Sequence, residues 1–125
     1  MEWSEEKALD LINEVRSRGV IWDPSDPNKK KTRTKREDAF RELVPLFEPA
    51  SVEEIKKKWH SLVQSYRIYR RKIEFSKRTG TGTNDIYEPT WFAFNDMDAF
   101  LRNTYEPQGA YDAVSTADFF KLTKN

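Results

Sequence analysis

Six apolar residues, Ile55, Trp59, Leu62, Tyr66, Tyr69 and Ile73, recur at alternating spacings of four and three, and they constrain this chain more than any other feature. At about 100° per residue they fall on one stripe of a helix running from Ser51 to Arg78, whereas a strand would scatter them over both faces. A stripe that contains one tryptophan and two tyrosines has to be buried, so the rest of the chain must supply a core around it. Ser51 and Glu54 form a capping box that fixes where this helix starts. Opposite the stripe project Lys57, His60, Ser61, Gln64, Ile68 and Arg71, with Lys56 and Arg67 on one shoulder and Lys58 and Lys72 on the other. An aromatic anchor on one side and a basic, hydrogen-bonding face on the other suit a helix that enters a DNA groove.

The remaining segments read as helices that could cover the stripe. Ser4 caps a first helix whose apolar face is Ala8, Leu9, Leu11, Ile12 and Val15, and Gly19 is its expected stop. Val20, Ile21 and Trp22 are too few for a strand and are expected to fold back as a hydrophobic latch, followed by a loop over Asp23 to Asn28. Thr34 and Glu37 suggest a capping box for a second helix with Ala39, Phe40, Leu43 and Val44 inside, ended by Pro45, while Phe47 still packs inward. The pattern is helix, turn, helix. After the long third helix, roughly 39 Å at about 1.5 Å per residue, Thr79 to Asp85 is a polar connector without the Gly-Lys-Ser/Thr ending of a phosphate-binding loop. A fourth helix is expected from Glu88, with Pro89 in its first turn and Trp91, Phe94, Met97, Phe100 and Leu101 at helical spacing. Residues 104–125 form a tail with one short helix after Ser115, where Phe119, Phe120 and Leu122 either pack back or bind a partner.

The expected fold class is therefore all-α: a three-helix, helix-turn-helix core with a fourth C-terminal helix, in one domain over residues 1–103. A chain of 125 residues has room for one core. With no cysteine and one histidine, thiolate metal sites and cysteine nucleophiles are excluded and most triad chemistry is removed. No catalytic pair emerges, since Glu53 and Glu54 point about 100° apart and suit the positive end of the helix. We expect no enzyme activity, no cofactor and no small-molecule substrate. No run approaches a membrane span, and the acidic start lacks the features of a signal peptide, so a soluble, unexported chain is expected.

A formal net charge of +1 conceals a strong sorting along the chain. Residues 1–27 carry −4, 28–52 carry +3, 53–78 carry +6 and 79–125 carry −4. DNA senses the local field of a face, because each lysine or arginine near a phosphate releases counterions whatever the far side carries. Six of the eight residues from Lys29 to Arg36 are basic, which suits a phosphate-contacting arm, a nuclear import signal or a solvated helix start. The expected DNA-contacting residues are Lys57, His60, Ser61, Gln64, Arg67, Arg70, Arg71 and Lys56 on the long helix, with Lys30, Lys31 and Arg33 before the second. Gln64 can pair bidentately with adenine, and Lys57 or Arg71 with guanine. Ile68 would touch a thymine methyl or mark a protein interface. The acidic ends keep a second reading open, in which the chain binds basic proteins such as histone tails or transcriptional cofactors.

Taken in order, these residues resemble the MADF domain, a Myb/SANT-like DNA-binding module of insect transcription factors. The resemblance rests on Leu11-Ile12 and Val15, Ile21-Trp22-Asp23, Arg36 with Ala39-Phe40, the run Val52 to Trp59 with Leu62 and Tyr66, and then Trp91, Phe94, Met97 and Phe100-Leu101. It covers about residues 5–102. Phe40 stands where the family usually has tryptophan, and Pro45 is unusual in the second helix. The resemblance implies a three-helix core, sequence-specific binding of double-stranded DNA through the third helix, and a nuclear role in transcription or chromatin.

Overall fold

A computed structural model of the chain describes residues 2–26, 32–78 and 86–104. Among these the only regular structure is helical, in the order α1 (Glu5–Arg16), α2 (Gly19–Trp22), α3 (Thr32–Leu43), a 3-10 turn (Val44–Leu46), α4 (Val52–Arg78) and α5 (Phe94–Leu101). The all-α expectation holds. The 79–85 connector, the Lys29 to Lys31 part of the basic run and the tail from 105 with its expected short helix lie outside the described residues.

α4 is the axis of the molecule. Ile55, Trp59, Leu62, Tyr66 and Tyr69 are buried in one cluster with residues of every other helix, and Ile73 packs at its edge. Leu11, Ile12 and Val15 come from α1, Ile21 from α2, Ala39, Phe40 and Leu43 from α3, and Phe94, Met97 and Leu101 from α5. The capping box forms as expected: the Glu54 amide donates to Ser51 Oγ at 3.2 Å, and the Ser51 amide donates to Glu54 Oε1 at 3.2 Å. Replacing Ser51 by alanine orphans the Glu54 amide, and urea unfolding should show a drop in stability of about 1 kcal/mol. An unchanged midpoint would mean that packing alone sets the start of α4.

Pro45 ends α3 at Leu43, and the chain tightens into the 3-10 turn, so that Phe47 turns inward with 2% of its surface exposed. The helix, turn, helix of α3 and α4 is thus built from a proline stop and a serine start.

Three boundaries differ from the expectation. α1 ends at Arg16 with Ser17 as its cap, and Gly19 instead opens α2, where an added Cβ would lie 2.6 Å from Asp26 Oδ2. The latch is therefore a helical turn: Ile21 is buried, Trp22 meets Phe100 edge-on at 4.9 Å, and Trp22 Nε1 donates to the Arg16 carbonyl at 3.1 Å. Thr34 lies inside α3, which has already begun at Thr32, and Glu37 pairs with Lys56 of α4 instead of closing a capping box. The expected fourth helix starts at Phe94 rather than Glu88. Residues 86–91 run without helix along α4, with the Tyr87 amide donating to Ser76 Oγ at 2.9 Å and Trp91 stacked on Tyr69 at 5.4 Å. Trp91 lies three residues before Phe94, which gives it a helical spacing, but it covers α4 from a segment that is not helical.

Candidate nucleic-acid interface

The outer face of α4, opposite its core stripe, carries most of the residues expected to meet DNA. Lys57, His60, Ser61, Gln64 and Arg67 are all exposed there, and Arg71 is half-buried farther along. Positions 57, 60, 64, 67 and 71 advance by three or four, so they form one continuous line on the helix surface. Glu53 precedes them at the positive end of α4. α3 meets α4 at the start of this line, where Arg33 and Lys35 are exposed and Arg36 is half-buried.

Lys56 sits at that junction. Its ammonium pairs with Glu37 of α3 and lies 3.8 Å from Glu53 Oε1, and the bond from Lys56 holds the Glu37 carboxyl below its usual range. The pair ties the two helices together and offsets much of the Lys56 charge. His60 lies one turn along. Desolvation, then the positive charges of Arg36 and Lys56, hold its imidazole below its ordinary value, so the neutral form prevails at neutral pH.

Three side chains expected on or beside the outer face are turned into the protein. Arg70 is 8% exposed, with Nη1 donating to Tyr66 Oη at 2.9 Å and to the Arg102 carbonyl at 3.1 Å, and 3.4 Å from Asp98 Oδ1. It joins α4 to α5, and a contact with DNA would require it to leave these partners. Lys72 is 4% exposed, its ammonium 4.1 Å from the centre of the Tyr87 ring and 5.6 Å from that of Tyr69, and burial lowers its pKa. Ile68 is 8% exposed, which leaves little of it for a thymine methyl. The exposed apolar residue on this side is Phe75, one turn beyond Arg71.

The resulting surface grades along α4. Its first half offers Lys57, His60, Ser61 and Gln64 in solvent, a mixture of cation, hydroxyl, amide and imidazole that can read base edges. Farther along it offers Arg67 and Arg71 and then the apolar Phe75. Arg36 was not among the residues expected to contact DNA. The basic run pointed to it, and across the α3–α4 contact its positive charge helps to hold the His60 imidazole below its ordinary value.

Among the described residues no group of histidine, cysteine or carboxylate side chains could hold a metal ion, and no helix is long and apolar enough to cross a membrane. No curated protein and no solved structure matches the chain. The family model described as "Alcohol dehydrogenase transcription factor Myb/SANT-like" matches residues 11–101, from the core residues of α1 to the last residue of α5. A match over that span, together with a helical core in which α3, a proline turn and a capped α4 follow one another, shows that the chain belongs to the MADF family of Myb/SANT-like DNA-binding domains.

Proposed function

We propose that the chain binds double-stranded DNA sequence-specifically, with the first half of α4 in the major groove and the flanking cations on phosphates, and that it acts in the nucleus in transcription or chromatin regulation. The observation that carries this reading is the exposed line Lys57, His60, Gln64 and Arg67, directly opposite the stripe that anchors α4 in the core. Anchoring from behind matters, because a side chain can discriminate bases only if its helix is held in register. Gln64 is the proposed base reader, Lys57 a base or phosphate contact, and Arg67, Arg71 and Arg33 phosphate contacts. Lys30 and Lys31 extend the same basic run. Arg70 acts from inside, by fixing α5 to α4.

A selection from random duplexes followed by salt titrations tests the assignment. Taking one cation away from a phosphate flattens the slope of log affinity against log salt by about 0.9, so Lys57→Ala with Arg67→Ala should reduce it by up to about 1.8. Gln64→Ala should cost about 1–3 kcal/mol on the selected site and relax preference at one base pair. Full affinity with an unchanged slope in the double variant would remove α4 from the interface. A basic histone-tail peptide is the second arm: tight peptide binding without duplex affinity would transfer the reading to a protein-binding module.

A further inference from the structure

We propose that the C-terminal tail folds back on α4, with Phe119, Phe120 and Leu122 covering Ile68 and Phe75 on its outer side. The inference stands whether or not the chain binds DNA.

Ile68 keeps 8% of its surface exposed, yet it stands outside the cluster that the helices bury together. Helical geometry puts it about 140° from the middle of the core stripe, where the side chains of α4 alone would leave an isoleucine largely in water. Another segment therefore lies over it. Residues 86–91 cover the adjoining strip: Trp91 stacks on Tyr69, the Tyr87 ring lies over the Lys72 ammonium, and the Tyr87 amide reaches Ser76 Oγ. Beyond that strip, Phe75 is two turns on from Ile68, about 20° round the helix, and 58% exposed. The two side chains mark one short apolar stripe on the second half of α4. Residues 27–31 and 79–85 carry no apolar side chain except Pro27, whereas the tail carries Val114, Phe119, Phe120 and Leu122. Phe119 and Leu122 are three apart, so one helical turn presents both on one side.

The route to the stripe is short. Arg70 Nη1 donates to the Arg102 carbonyl at 3.1 Å, and the Thr104 amide closes on the Leu101 carbonyl at 3.0 Å, so the tail leaves α5 near the level of Arg70 on α4. Phe75 is about 140° round the helix from Arg70, an arc of roughly 13 Å on a cylinder about 11 Å across. The 14 residues from 105 to 118 span that distance several times over. The shorter way round passes Arg67 and Arg71, whose directions fall between these two, and Glu106 and Asp112 lie on that part of the tail. Carboxylates meet guanidiniums on the way, and the aromatic pair meets the apolar stripe at the end. The docked tail leaves Lys57, His60 and Gln64 open. A duplex on the first half of α4 shares Arg67 and Arg71 with it, so the tail's carboxylates weaken those phosphate contacts.

The chain has no cysteine, so Thr123→Cys provides a single site for a nitroxide label in the full chain. Docking predicts that the NMR amide signals of Ile68, Arg71 and Phe75 lose most of their intensity when the label is oxidised and regain it when the label is reduced, while those of α1 keep theirs. Phe119→Ser with Phe120→Ser should abolish the loss in the labelled chain and lower the urea midpoint. These two positions lie outside the family match over residues 11–101, so the core should still fold. Equal intensities along α4 with the label oxidised, or a urea midpoint unmoved by the two serines, overturn the docking. A mixture of labelled chain with isotope-enriched unlabelled chain checks the occupant: signal loss there assigns the stripe to the tail of a second copy and overturns docking within one chain. Failure of the wild-type chain to bind any duplex would overturn the DNA-binding reading and leave the docking untouched.

Discussion

Asp98→Ala should lower the unfolding free energy by about 3–5 kcal/mol, because it removes one partner of a buried ion pair and leaves the other uncompensated. Asp98 Oδ1 accepts from Tyr66 Oη at 2.6 Å and lies 3.4 Å from Arg70 Nη1, in a pair whose side chains are 12% and 10% exposed. Its Oδ2 accepts from Arg102 Nη2 at 2.7 Å. Without the carboxylate, the Arg70 guanidinium would stay in the α4–α5 contact beside the Tyr66 hydroxyl and the Arg102 carbonyl, neither of which carries a compensating charge. Burial, then the bond to Asp98, pushes the Tyr66 hydroxyl well above its ordinary pKa, so it stays a donor throughout the neutral range. Tyr66→Phe keeps the ring and should cost nearer 1–3 kcal/mol. Arg102→Ala removes a side chain that is 68% exposed and should cost far less than Asp98→Ala. Urea unfolding of the three variants ranks them. A small effect of Asp98→Ala would show that the apolar contacts of Phe94, Met97 and Leu101 hold α5 without the ion pair.

That cluster also shows where sequence reasoning stops. The stripe from Ile55 to Tyr69 was legible because one period repeats along the helix, and so were the Ser51 cap and the Pro45 stop, whose causes are local. Arg70 was not legible. Its position on α4 falls about 60° from the centre of the stripe, and what turns it inward is an aspartate 28 residues away in sequence. Lys72 is similar, since it is covered by Tyr87, just ahead of a segment whose spacing reads as helix. For Ile68 the signal was present, because an isoleucine on an otherwise polar face is unusual and it is in fact buried. The exposed candidates Lys57, His60, Ser61, Gln64 and Arg67 needed only helical geometry to be placed on one side. Their contact with DNA is a matter for the salt and selection experiments above.

The second large effect separates the two faces of α4. Trp59→Ala should cost about 3–5 kcal/mol, since a fully buried aromatic leaves a cavity that the neighbouring helices cannot fill. Domains of this size are held by about 5–15 kcal/mol, so the variant would approach unfolding at room temperature. Trp59 is one residue from His60 and two from Lys57, yet it points into the cluster rather than toward solvent. Its removal should therefore lower the apparent DNA affinity only through the fraction of chain that is unfolded. The surviving folded molecules keep every exposed cation, so their salt slope should match that of the wild type, in contrast to Lys57→Ala with Arg67→Ala, which should change the slope and leave the urea midpoint nearly fixed. Measuring both quantities on both variants places each face of the helix independently. A Trp59→Ala protein with wild-type stability and a flattened slope would reverse the orientation of α4 and undo the assignment of its outer line.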